Sequence, residues 1–313
     1  MTATRRAALA LAAGLALPRI AEAGRREPVE LLVPGAPGTA ADRWARSMTP
    51  FLERAWPRQP VKLRNEPGRG GLDALSELAG AGSRRVLGVL TTPLLLARAI
   101  EAGEPSPLGR IAPLAALIEE PVVLVVPPFG PDSLEALRRA APTSSIGTPP
   151  PGTGAHLAGL RLGERAGLAL LPFPSAAAAR QAAASGHVAA AALTLPEAIA
   201  FLRDGRLVAL GVASPHRIPL LPEVPTLRET GLEALGATRR GLALSPDAPP
   251  AWRAALLAGL ESLSAAPDLA THAAEVGQVP RFLGQEAWGA LLARQDAALR
   301  RRWQEDPWLP RRV

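Results

Sequence analysis

The chain has 313 residues, 48% hydrophobic and 20% charged, a balance that supplies a sizeable core and excludes an intrinsically disordered protein. Its net charge of +7 comes almost wholly from arginine, spread as pairs such as Arg84-Arg85, Arg138-Arg139 and Arg239-Arg240 that read as solvated helix faces; the single basic stripe with interleaved aromatics that nucleic acid requires is missing. Cysteine and tyrosine are absent and aromatics total 4%, which removes disulfides, thiolate chemistry and a lipid-attachment cysteine and argues against an aromatic cage for a cationic ligand.

At the N-terminus, Arg5-Arg6 precede an apolar stretch from Ala7 to Leu17, followed by Pro18 and the small-x-small sequence Ala21-Glu22-Ala23. A positive start, an apolar segment and a small-residue cleavage site are the three parts of a secretory signal. Residues 1–23 are therefore expected to be a cleavable signal peptide, used by the Sec or the twin-arginine route, and the protein to be periplasmic. The competing reading, a buried N-terminal helix, has no need of the paired arginines or the Ala-x-Ala site. No other stretch approaches the roughly 18–20 consecutive apolar residues that cross a bilayer, so the mature protein is expected to be soluble.

From Pro28 onward strand-like and helix-like segments alternate, the pattern of an α/β protein with largely parallel sheets. A strand at Val29–Val33 leads through a Pro/Gly-rich turn, Pro34 to Thr39, into a helix from Ala40 to about Arg54, where Trp44, Met48, Phe51 and Leu52 recur at helical spacing. The unit repeats as strand Val61–Leu63, turn Asn65–Gly71, helix Leu72–Ala81 and strand Val86–Leu90, after which Thr91-Thr92-Pro93 opens another helix. The β-branched run Val122–Val126, bounded by prolines, reads as a buried strand, and Asp132-Ser133 as the cap of a helix at Leu134–Ala141. Strands follow near Ser144–Gly147, Leu168–Leu171, Val188–Leu193 and Leu207–Val212, with helices from about Ala155 and over Ala176–Ala184; Ala251 to Trp303 is mostly amphipathic helix. Because Val122–Val126 closes one set of units and Arg239–Leu244 returns to it, two lobes are expected, one of residues 24–127 plus 240–313 and one of residues 128–239. Crossovers near Pro127-Pro128 and Arg239–Gly241 are the candidate hinges.

Two strand-to-helix loops carry the chemistry. They are Pro34-Gly-Ala-Pro-Gly38-Thr39-Ala-Ala-Asp42 and Gly152-Thr153-Gly154-Ala155-His156. A helix start leaves several N–H groups without internal partners at the positive end of the macrodipole, so two such starts facing one cleft make a carboxylate clamp. The alternative is that both are ordinary tight turns. Asp42, in the first turn of its helix, reads as a loop-structural carboxylate, whereas His156 either donates to a ligand carboxylate or bonds the loop backbone. The four histidines have no metal-ligand spacing, and neither a nucleophile elbow nor a phosphate-binding lysine loop occurs. No catalytic residue, cofactor or metal is expected, and the chain is read as a binding protein and not an enzyme; a periplasmic hydrolase or isomerase is the remaining catalytic alternative.

Several segments together resemble the tripartite tricarboxylate transporter substrate-binding proteins, the Bug receptor family. The most specific is Gly205-Arg-Leu-Val-Ala-Leu-Gly-Val-Ala-Ser214, followed by Arg217, Leu221-Pro-Glu-Val-Pro-Thr226, Glu229 and Gly231. Asn65-Glu-Pro-Gly-Arg-Gly-Gly71, Gly152-Thr-Gly-Ala-His-Leu-Ala-Gly159 and Pro34 to Asp42 are similar to further motifs, in family order, so the likeness covers nearly the whole mature chain. The resemblance implies a two-lobed periplasmic-binding-protein-like fold of type II, with the ligand cleft between the lobes. It implies a receptor for a small organic carboxylate that closes on its ligand and delivers it to the membrane permease subunits of a tripartite tricarboxylate-type transporter. A sensor that hands the ligand to a signalling partner is the alternative within binding proteins. Carried over by position, Pro37, Gly38, Thr39 and Ala40 form one side of the clamp and Gly152, Thr153 and His156 the other, with Thr91 and Thr92 ending a strand that faces the cleft. A monomer is expected.

The sequence departs from the family pattern where polar side chains usually stand. Gly35 replaces a phenylalanine, Thr39 a second glycine, and Leu171-Pro172-Phe173-Pro174-Ser175 stands where a Val-Pro-Tyr-Lys-Gly motif is usual. Val188 to Pro196 has lost both acidic residues of its motif, and Arg239 stands near the usual tryptophan. A ligand amine would find fewer acidic partners, which favours a plain or apolar carboxylate over an amino acid.

Overall fold

The computed structural model describes residues 28–57, 59–140 and 144–309. The expected signal peptide, residues 1–23, lies outside them. Strand β1 (Val29–Val33), helix α1 (Ala40–Ala55), β2 (Val61–Asn65), α2 (Leu72–Ala79), β3 (Val86–Thr92) and α3 (Leu94–Glu101) form the first run of units. A 15-residue strand, β4 (Ala112–Val126), follows. Then come α4 (Leu134–Arg139), β5 (Ser145–Thr148), α5 (Gly154–Ala166), β6 (Ala169–Pro172), α6 (Ala176–Ala184), β7 (Ala190–Thr194), α7 (Leu195–Arg203) and β8 (Val208–Val212). The chain closes with β9 (Ala237–Leu244), α8 (Pro250–Ser264), α9 (Pro267–Glu275), β10 (Val279–Gly284) and α10 (Gln285–Glu305).

The strands run β2-β1-β3-β9-β4-β7-β5-β6, with β8 and β10 also on β4. The βα units pair in parallel, β1 with β2 and β3, and β5 with β6 and β7. Around β4 and β9 the pairing is antiparallel, against the largely parallel sheets expected from the alternation. The reason is that these two strands carry the chain between lobes in opposite directions and need no helical crossover.

β4 belongs to both lobes. Its first part, Ala112 to Pro121, pairs with β9, and Val122 to Val125 pair with β7. The chain returns where Gly236, bonded to Val122 and Ala213, passes into β9. The changes of sheet thus fall at Pro121-Val122 and Gly236-Ala237, a few residues before the prolines and arginines that marked them in sequence. Pro127-Pro128 follows directly on the end of β4.

Each lobe buries both faces of its sheet. In the first, Trp44, Met48 and Leu52 of α1 pack with Leu256 and Leu260 of α8 over Leu31 and Val33, while Leu32 faces Leu75, Leu95, Trp288 and Leu292 on the other side. In the second, alternate β4 residues divide in the same way. Val122, Leu124 and Val126 meet α4 and α5, and Val123 and Val125 meet α6 and α7. No helix of the described residues is long and apolar enough to cross a membrane.

Candidate functional site

Two helix starts are built alike. Thr39 caps α1: its Oγ1 accepts from Asp42 N at 3.4 Å and donates to the Ala36 carbonyl at 2.8 Å. Thr153 caps α5, accepting from His156 N at 3.2 Å and donating to the Pro150 carbonyl at 2.8 Å. Each threonine is consumed by its own turn, so what the turn presents outward is backbone: the first N–H groups of Ala40 and Ala41 and of Gly154 and Ala155, which have no acceptor within a helix at these positions.

Both starts open into one cavity of about 190 Å³. Pro34, Gly35, Thr39, Ala40 and Ala41 line it from the β1–α1 turn, Thr91, Leu94 and Leu95 from the β3–α3 turn, and Thr153, Gly154 and Ala155 from the other lobe. Glu120, Thr194, Glu197, Thr238 and Arg240 complete the lining. Gly154 is required by this approach, because a Cβ there would lie 2.7 Å from Thr238 Oγ1 and 3.1 Å from the Ala237 carbonyl oxygen.

Of the residues named from sequence, Thr39, Ala40, Thr91 and Thr153 line the cavity, whereas Pro37, Gly38, Thr92, Gly152 and His156 do not. Gly38, at φ +82°, donates its N–H to Asp42 Oδ2 at 2.8 Å. Gly152, at φ +78°, faces Ala97 and Glu101 of α3. Thr92 is buried at the end of β3. His156 is 1% exposed behind the helix start, with Nδ1 3.0 Å from Thr148 Oγ1. Burial lowers its pKa to about 4, so the ring is neutral and steadies the β5–α5 turn from within. Asp42 holds the first loop together, accepting from Gly38 N, from Arg46 Nε at 3.0 Å and from Asn65 Nδ2 at 3.0 Å. The Arg46 bond, opposed by burial and aided by the Gly38 and Asn65 bonds, lowers its pKa to about 2.

Sequence reasoning missed the wall opposite the helix starts. Arg240 and Glu120 form a buried bidentate ion pair, Nε to Oε1 at 2.7 Å and Nη2 to Oε2 at 3.0 Å, with Arg240 Nη1 donating to Thr91 Oγ1 at 3.1 Å. On the reverse face of the same two strands Arg239 Nη2 meets Glu119 Oε2 at 2.6 Å. The pair Arg239-Arg240 therefore sits on a strand, not on a solvated helix face, and the strand's alternation sends the two side chains to opposite sides. Glu197 joins the wall from the first turn of α7, where its carboxylate accepts from Thr194 N at 2.9 Å. The available signal was doubled charge, Glu119-Glu120 and Arg239-Arg240, inside or beside apolar strand-like runs.

Beyond that wall lies an outer chamber of about 520 Å³. Ala40, Glu120, Thr194, Glu197 and Arg240 border both chambers, and Arg43, Arg180 and Gln278 line only the outer one. Chemically, the inner chamber offers four outward amides and two positive helix ends, which suits an anion held without a full positive charge. Among the described residues no group of three or more His, Asp or Glu side chains is placed to hold a metal ion.

A family model described as "Tripartite tricarboxylate transporter family receptor" matches residues 58–286. The chain is 30% identical over 230 residues to Protein BugT of Bordetella pertussis, covering 70% of each chain. Among solved structures it is similar to a TctC solute-binding protein from Polaromonas, at 25% identity and a TM-score of 0.74, covering 88% of this chain and 97% of the other. It also shares its fold with MatC from Rhodopseudomonas palustris, solved with bound malate, at 24% identity and a TM-score of 0.70, covering 87% and 97%.

Proposed function

The chain belongs to the tripartite tricarboxylate transporter receptor family, and from that premise we propose that it captures a small organic carboxylate between its two lobes in the periplasm and presents the closed form to the permease subunits of such a transporter. The observation that carries the reading is the shared cavity of the α1 and α5 helix starts, one from each lobe. A carboxylate there collects the amides of Ala40 and Ala41 from one side and of Gly154 and Ala155 from the other, so its affinity is highest when the lobes are shut. Thr39 and Thr153 act by holding those amides outward, and His156, Gly38 and Asp42 by fixing the turns behind them. Pro37 and Gly152 belong to the same two loops and Thr92 ends β3, and none of the three lines the cavity.

For the motion, the lobes are taken as residues 28–121 with 237–309, and 122–236. Rotation is absorbed in β4 at Pro121-Val122 and at Gly236-Ala237, where the backbone changes sheet. The protein binds and releases its ligand unchanged, so it is a receptor without a catalytic step. The chain is taken to work as a monomer, since hinge closure needs no second copy.

A thermal-shift panel tests this. Mono-, di- and tricarboxylates, amino acids and neutral sugars are each added in large excess. A cognate acid at about 100 times its Kd is expected to stabilise the fold by about 2.7 kcal/mol, a rise of a few degrees for a chain of this size. Stabilisation by neutral sugars and by no acid would contradict the reading.

A further inference from the structure

The wall facing the two helix starts carries three ionisable side chains, Glu120, Arg240 and Glu197. An arginine at such a place is the natural partner of a second ligand carboxylate, because its planar fork matches a carboxylate bidentately. Here the fork is filled from within. Nε and Nη2 of Arg240 donate to the two oxygens of Glu120, and Nη1 donates to Thr91 Oγ1. Gln278 Nε2 adds a further donor to Glu120 Oε1 at 2.8 Å. The side chains of the pair are only 7% and 3% exposed, so an incoming carboxylate that displaced Glu120 would strand that charge in a low-dielectric site. Glu197 brings a second carboxyl to the same wall. Burial pushes it up, and the neighbouring charge of Glu120 pushes in the same direction, while the bonds from Thr194 and the Arg240 charge oppose them. One guanidinium thus serves two carboxyl groups.

Building on the carboxylate reading above, we propose that Glu120 is a built-in second carboxylate: it occupies Arg240 as the far end of a dicarboxylate would, and so restricts the receptor to monocarboxylates with an uncharged far end. The rest of the inner lining fits such a ligand, since Pro34, Ala41, Leu94, Leu95 and Ala155 contribute apolar surface. A diacid placed with one end at the helix starts brings its other end to a wall whose one guanidinium is already paired with Glu120, so the second carboxylate must shed its water without gaining a counter-charge. Arg43 and Arg180 line only the outer chamber, on the far side of that wall. Arg180 Nη1 donates to the Glu197 carbonyl at 2.7 Å and its guanidinium lies over the Phe201 ring.

The test is calorimetric titration with length-matched acids, butyrate against succinate and hexanoate against adipate. Wild type is expected to bind each monoacid at least about tenfold more tightly than its diacid. Glu120→Gln frees the Arg240 fork and is expected to narrow that ratio about tenfold or invert it. Glu197→Gln leaves the ion pair whole and is expected to change the ratio by a smaller factor than Glu120→Gln does. The wild-type comparison stands whether or not Glu120→Gln folds. Diacids bound by wild type as tightly as monoacids would overturn the proposal while leaving the carboxylate reading intact. Binding of neither kind of acid would remove that reading and this proposal together.

Discussion

His156 shows how a residue named for one role takes another. Its place at the start of a helix and its ability to donate made ligand contact one of two readings, but the ring lies behind the turn, bonded to Thr148. Burial lowers its pKa from 6.5 to about 4. The unfolded chain therefore takes up a proton that the folded chain does not, and stability present above about pH 6.5 is lost as the pH falls toward 4. Urea unfolding is expected to show a loss of about 2 kcal/mol from this group between about pH 7 and pH 5, and His156→Gln is expected to flatten the slope by that amount. An unchanged slope in the variant would contradict a buried neutral ring. Asp42 was legible as structural because a carboxylate in a first turn beside glycines has near donors at hand. Glu120 and Arg240 were not legible as partners, since they stand 120 residues apart in sequence and only the antiparallel pairing of β4 with β9 brings them together.

At the scale of elements, most of the βα units and their order could be read from the sequence. Val29–Val33 and Ala176–Ala184 keep the expected bounds, and the turn-rich loops at Pro34 and Gly152 do open helices. What escaped was the first half of β4, with β10 and α7. The Ala-, Leu- and Pro-containing run 112–121 has a single β-branched residue, Ile118, and lacks the alternation that announces a strand. It forms one because β9 and β10 flank it on both sides. The capping threonines give this scale its own expectation. Thr153→Ser keeps both bonds of the α5 start, whereas Thr153→Val loses them, which costs about 1 kcal/mol of stability and is expected to weaken carboxylate binding several-fold by releasing the amides it holds. Equal affinities of the serine and valine variants would show that the helix start does not hold the acid.

At the scale of the whole molecule, several contacts join the two lobes. Arg302 of α10 pairs with Glu164 of α5, and Arg203 of α7 donates to the carbonyls of Glu275 and Ala274 at the end of α9, at 2.8 and 3.2 Å. Leu157 and Leu160 of α5 pack on the core of the other lobe. Exposed pairs of this kind contribute at most about 1 kcal/mol each, so they favour the shut form without fixing it, and a ligand bridging α1 and α5 can tip the balance. The two-lobed architecture and the receptor family were legible from motifs spread along the chain, several of which include turns whose glycines stand at positive φ, such as Gly38, Gly70, Gly71 and Gly152. The wall of the cavity was not, because strand alternation and a contact between distant segments decide it. The most direct measurement is a calorimetric comparison of butyrate with butyramide, which share a skeleton and differ in charge. One-to-one binding of the acid, with the amide at least about tenfold weaker, is expected if two helix starts hold a carboxylate. Equal binding of acid and amide would contradict it.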